Sequence, residues 1–155
     1  MEDRLAEFKQ TQFYIIWGAL LSSIFIYAGV MFIIDSQPSG DPSMLGSIKT
    51  VFIAISCITA TGALMLSRRM FRDDVLQAAA AESRDKGAVL QKYFVQMLIS
   101  WVLVETIAVF GLAIGFLSGD PEEGLPFIAT SAILFIALLP QPGKISEKLQ
   151  RLKPM

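Results

Sequence analysis

Apolar residues along this chain neither alternate nor fall on one helical stripe; they run on in four blocks separated by polar or charged stretches. From Thr11 to Ile34 there is no charged residue, and at about 1.5 Å per residue a helix of that length crosses a hydrocarbon core about 30 Å thick. The block is too long for the apolar part of a signal peptide and no Ala-x-Ala-like site follows, so it is expected to remain in the protein. The stretch Asp35 to Pro42 holds turn formers and two prolines that cannot continue a helix. A second block covers about 45–67, with Lys49 near its start, where a long side chain can hold its ammonium among the headgroups. The third, 94–118, contains one charge, Glu105. The fourth, about 124–140, is short for a crossing and is bounded by Pro126 and Pro140, with a re-entrant segment as the alternative.

Composition agrees with a bilayer rather than water as the solvent. Of the 155 residues 54% are apolar and 17% charged, and the mean hydropathy is +0.56, whereas a soluble domain carries about 25% charge to solvate its surface. The predicted class is therefore all-α: a single polytopic membrane domain (1–155) of four transmembrane helices, with a loop at 68–93 and a tail at 141–155. The loop contains Val75, Leu76, Ala78 to Ala81, Val89 and Leu90 among good helix formers, which predicts a helical hairpin extending spans two and three, with Gly87 as its break.

Charge placement sets the orientation. With four crossings, every lysine and arginine except Lys49 falls on the side shared by the N-terminus, the 68–93 loop and the tail, while Asp35, Asp41, Asp120, Glu122 and Glu123 fall on the other. Basic residues near span ends mark the cytoplasmic side, so both termini are expected to be cytoplasmic, in a bacterial-type inner (plasma) membrane. The tail, with Ile145, Leu149 and Leu152 among basic residues, is expected to lie on the anionic inner surface.

Several chemistries drop out. The chain has no histidine, so it offers no imidazole ligand and no Ser-His or Cys-His nucleophile. No basic run interleaved with aromatics suits nucleic acid, and no motif indicates an enzyme, a metal site or a cofactor. Cys57 cannot form an internal disulfide and reads as a small buried residue. Trp17 is placed for an interfacial indole belt.

Glu105 is the informative residue. Near the middle of an apolar run a charged carboxylate costs several kcal/mol and a neutral one much less. Leu98, Trp101, Ala108 and Leu112 share its helical face, so Trp101 could shield the carboxyl or pack; beside it Ala108, Gly111 and Gly115 form a small-residue strip that admits a close helix. The carboxyl is either a proton or cation site, with Thr106 adjacent and Ser56, Thr59 and Thr61 as further oxygens if span two faces it, or a structural hydrogen bond to a neighbouring helix.

The stretch from Leu103 to Leu117, in which Glu105 is followed by Ala108, Phe110, Gly111 and Leu112, resembles the carboxyl-bearing helix of the proteolipid c subunit of rotary ATP synthases. The resemblance covers one helix. It implies a ring of hairpins in which Glu105 carries a proton and exchanges it at a stator. Two functions are thus expected: an oligomeric subunit of an energy-coupled complex that binds or moves protons through Glu105 and Thr106, self-associating or joining other membrane subunits through Ala108, Gly111 and Gly115; or a non-catalytic scaffold or assembly subunit in which Glu105 is a structural latch.

Overall fold

The computed structural model describes residues 2–33, 42–70, 72, 86–141 and 147. The loop predicted at 35–42, the tip of the predicted hairpin and nearly all of the tail lie outside them. The described residues form four helices: α1 (Glu2–Ile33), α2 (Pro42–Met70), α3 (Lys86–Ser118) and α4 (Pro121–Ala137). Three of them contain segments long and apolar enough to cross a membrane, Thr11–Ile33, Met44–Arg69 and Gln91–Ser118.

Each helix begins and ends where its local chemistry allows. Proline opens α2, where a missing N–H costs nothing, and Arg68 and Arg69 occupy its last turn, at the negative end of the helix dipole. Gly87, expected as a break, sits in the first turn of α3, the end of a helix where an interruption is cheapest. At the other end of α3, Gly119 adopts a left-handed φ of 69°, a conformation glycine reaches without a Cβ penalty. Asp120 is then extended and accepts a hydrogen bond from the Glu122 amide at 2.9 Å, with Pro121 next and Glu122 and Glu123 in the first turn of α4. Cap, proline and acidic turn together start a helix. They correct the expected start at about 124: the helix begins three residues earlier, and Pro126, expected as a bound, lies inside it.

α3 is the centre of the bundle. It packs against α4, α2 and α1, and α1 also touches α4. Of the apolar windows, 44% of that in α3 is buried, against 11% in α1 and 17% in α2. Phe13 meets Tyr93 and Phe94, Ser23 meets Glu105, and Met31 meets Gly115, so α1 runs parallel to α3. Gly111 faces Gly124, Val104 faces Ser131, and Trp101 faces Leu138, so α4 runs antiparallel to it. α2 descends against α3 with Phe52 stacked on Phe110 at 4.6 Å. The directions therefore alternate along the chain.

Outward faces remain strongly apolar, with Ile33 82% and Ile58 73% exposed, and Phe25, Phe32, Met65 and Ile133 exposed with them. Such a surface is untenable in water and ordinary against lipid tails. Cys57, expected inside, is exposed, because α2 packs on α3 through one side only and the cysteine lies off that side.

Candidate functional site: the Glu105 seam

Glu105 projects into the seam between α3 and α1, half-buried. The Ser23 hydroxyl lies 2.5 Å from its Oε1 and 2.7 Å from the Leu20 carbonyl oxygen, and the Tyr27 hydroxyl donates to the same Oε1 at 3.0 Å. Ser23 and Tyr27 are four residues apart, one helical turn, and so share a face. Both partners are at the same depth: Ser23 stands one residue past the midpoint of Thr11–Ile33, and Glu105 is central in Gln91–Ser118. Parallel packing of two helices of similar length therefore brings middle to middle.

The other oxygens considered from the sequence go elsewhere. Thr106 turns its hydroxyl back to the Val102 carbonyl at 2.9 Å, and Thr59 and Thr61 do the same to Ile55 and Cys57. Ser56 is buried on α2, and its hydroxyl has no partner. Sequence reasoning missed Ser23 and Tyr27. Their i, i+4 spacing inside an uninterrupted apolar run was the available signal, since two hydroxyls on one face of a membrane helix need a polar counterpart.

The small-residue strip is filled from within the chain. A Cβ on Gly111 would stand 2.7 Å from the Gly124 carbonyl oxygen and 2.9 Å from Phe127 Cβ, and one on Gly124 would collide with the Gly111 carbonyl. A Cβ on Gly115 would lie 3.1 Å from the Met31 sulfur. Ala108 is fully buried. The surface expected to receive a second copy or another subunit is thus occupied by α4 and α1.

Trp101 packs instead of shielding. It is fully buried and its indole donates to the Leu138 carbonyl at 3.0 Å. Trp17, expected at the interface, donates to the Phe135 carbonyl at 3.1 Å, and Ser131 donates to the Val104 carbonyl at 2.8 Å. Phe135 and Leu138 lie in the last turn and cap of α4, where carbonyls lack helical partners. The two indoles supply donors there.

Among the described residues, no group of three or more His, Cys, Asp or Glu side chains could hold a metal ion. No family model, no curated protein and no solved structure matches this chain.

Proposed function

We propose that this protein is a non-catalytic, four-crossing membrane subunit, a scaffold or assembly component, in which Glu105 is a neutral hydrogen-bonding latch between α1 and α3. The observation that carries this reading is the convergence of Ser23 and Tyr27 on one carboxyl oxygen at mid-depth. Counting protons sharpens it. Three short oxygen–oxygen contacts, Ser23 to Leu20, Ser23 to Glu105 and Tyr27 to Glu105, need three protons, and two hydroxyls supply two. A protonated Glu105 donating to the Ser23 oxygen supplies the third, leaves every contact satisfied and avoids a charge in the hydrocarbon.

The fourth crossing is supported by how the chain continues after α4. Seventeen helical residues span only about 25 Å, yet the chain then extends through Leu138 and a buried Pro140 to place the Gln141 backbone beside the Tyr93 hydroxyl. Tyr93 stands near the start of the α3 apolar segment. The reading places both termini on the basic, cytoplasmic side of an inner membrane.

A second reading, a proton-binding subunit of an energy-coupled complex as the proteolipid resemblance implies, draws on the same third proton. The clamp from α1 and the covered glycine strip favour the latch.

Glu105→Gln separates them. With its NH2 group where the two hydroxyls converge, the amide can donate one N–H to Ser23 and the other to the Tyr27 oxygen, so the latch reading expects near wild-type expression and thermal stability in detergent, while Glu105→Leu loses about 1–2 kcal/mol. Proton flux through reconstituted vesicles that Glu105→Gln abolishes, with stability intact, would establish the second reading. Carbodiimide labelling of Glu105 that persists to about pH 8 and is blocked by a partner would point the same way.

A further inference from the structure

The Glu105 latch uses one of its two carboxyl oxygens. Ser23 and Tyr27 both meet Oε1, while Oε2 receives no hydrogen bond from the described residues and is not enclosed by them. The helical neighbours of Glu105 show where it opens. Trp101 and Ala108, on the bundle flank, are fully buried, whereas Val102 and Val109, on the other flank, are 49% and 42% exposed. With Glu105 neutral and its proton directed to Ser23 through Oε1, Oε2 is the carbonyl oxygen of the acid, an acceptor left at mid-depth without a donor.

Depth excludes most occupants. Water and headgroups lie about 15 Å away, half the 30 Å hydrocarbon core, and lipid tails carry no donor. A donor that reaches this oxygen has to be carried there by another transmembrane helix. The adjoining face of α3 has the form to receive one: Val95, Ile99, Val102, Thr106, Val109 and Ala113 follow at alternating steps of four and three residues, the spacing of a seam between two helices crossing at about 20°. None of these six is buried. α1, at Glu105, and α2, at Phe110, pack on α3 to either side of this face rather than on each other.

The chain itself carries the complement. Ser22 is the midpoint of Thr11–Ile33 and is exposed. Its hydroxyl donates to the Gly18 carbonyl at 2.8 Å, an acceptor that the helical Ser22 amide already engages, so the hydroxyl can turn outward without leaving that carbonyl unpaired. Gly18, one turn earlier, has open space around its missing Cβ. Copies inserted under the same charge rule share one orientation, so α1 of a second copy meets α3 in parallel, with Ser22 level with Glu105 as Ser23 is within the chain. Of the other exposed hydroxyls, Thr50 and Thr61 stand off the midpoint of Met44–Arg69, and Thr130 lines the groove between α2 and α4.

We propose that copies of this chain associate head-to-tail, the outward face of α1 of one copy seated on the free face of α3 of the next, with Ser22 donating to Glu105 Oε2 across the contact. This contact rests on the neutral latch and gives the scaffold its first partner, another copy of itself.

Cysteine cross-linking tests this in the full chain carrying Cys57→Ala, reconstituted in palmitoyl-oleoyl phosphatidylcholine vesicles and oxidised with copper phenanthroline. Because the two surfaces differ, Gly18→Cys combined with Val102→Cys is expected to give covalent dimers and higher species, and either substitution alone none. Ser22→Ala, at an exposed position, should weaken association, read by energy transfer between labelled copies, roughly three- to tenfold, the order of one interhelical hydrogen bond in a bilayer, without moving the thermal transition of the monomer. Glu105→Gln should leave association intact, its amide nitrogen in the place of Oε1 and its carbonyl in the place of Oε2. No cross-linked species from the pair, cross-linking by either cysteine alone, or unchanged association of Ser22→Ala would each overturn the head-to-tail contact and leave the latch untouched. Loss of stability in Glu105→Gln would instead overturn the latch, and this contact with it.

Discussion

The seams that α3 forms with α4 and with α1 and α2 hold by different means. Against α4 the contact is backbone to backbone: Gly111 on Gly124, with Ser131 and Trp101 donating to main-chain carbonyls across the seam. Against α1 and α2 the contacts run through side chains: Phe13 on Tyr93 and Phe94, Phe52 on Phe110, and Ser23 and Tyr27 on Glu105. Lipid tails are as apolar as leucine, so helices in a bilayer gain little from apolarity itself and depend on close packing and polar links. α4 uses both, and α1 adds to its side-chain packing the polar link at Glu105. A seam made of backbone contact has no room to yield, whereas one made of side chains can re-pack.

That contrast can be broken most severely at Gly124. Replacing it with valine drives a branched side chain into the Gly111 carbonyl, and a loss of about 3 kcal/mol or more is expected, seen as poor expression or a collapsed thermal transition in detergent. An equal change at Gly62, an exposed position of α2 with open space around its missing Cβ, should be tolerated; comparable damage at both sites would mean that valine in a helix, and not the Gly111–Gly124 contact, causes the loss.

Glu105→Leu comes next. Its expected cost of about 1–2 kcal/mol should be shared by the pair Ser23→Ala with Tyr27→Phe and should not add to it, because all three remove one network. Full additivity in a double-mutant cycle would mean that the hydroxyls and the carboxyl do not act as a unit. Ser131→Ala removes a donor from a carbonyl that already belongs to a helix. About 0.5–1.5 kcal/mol is expected there, and hydrogen exchange at α4 should rise while α1 is unaffected.

The smallest effect is assigned to Lys49→Ala. Both side chains of the Lys49–Glu123 pair are about one-third exposed, at 37% and 34%, and pairs of this kind contribute about 0–1 kcal/mol. A change in melting temperature larger than that of Ser131→Ala would show that α2 depends on this link more than on the Phe52–Phe110 stack.

How much of this was legible beforehand varies by element. Apolar runs of more than twenty residues with at most one charge declare themselves, since a soluble helix of that length carries more; thus α1, α2 and α3 were readable. α4 was expected from about 124, where the apolar run begins, whereas Asp120 and Pro121 already supply a cap and a first turn. Glu105 was recognisable as the residue of interest, but its partners were sought on span two. Nothing in a list of apolar runs says which of three neighbours faces a given carboxyl.

The sequence by itself pointed to a bilayer as the solvent, to three helices long and apolar enough to cross it, and to the residue too expensive to sit in lipid unpaired, because these follow from transfer free energies summed along a local stretch. Only the tertiary structure decided that α3 is the centre, that its glycines are spent on α4 and α1 of the same chain, and that Ser23 and Tyr27 meet Glu105. Those outcomes depend on the rotation of each helix about its axis, which is set by interlocking shapes across seams and has no signature in any single segment.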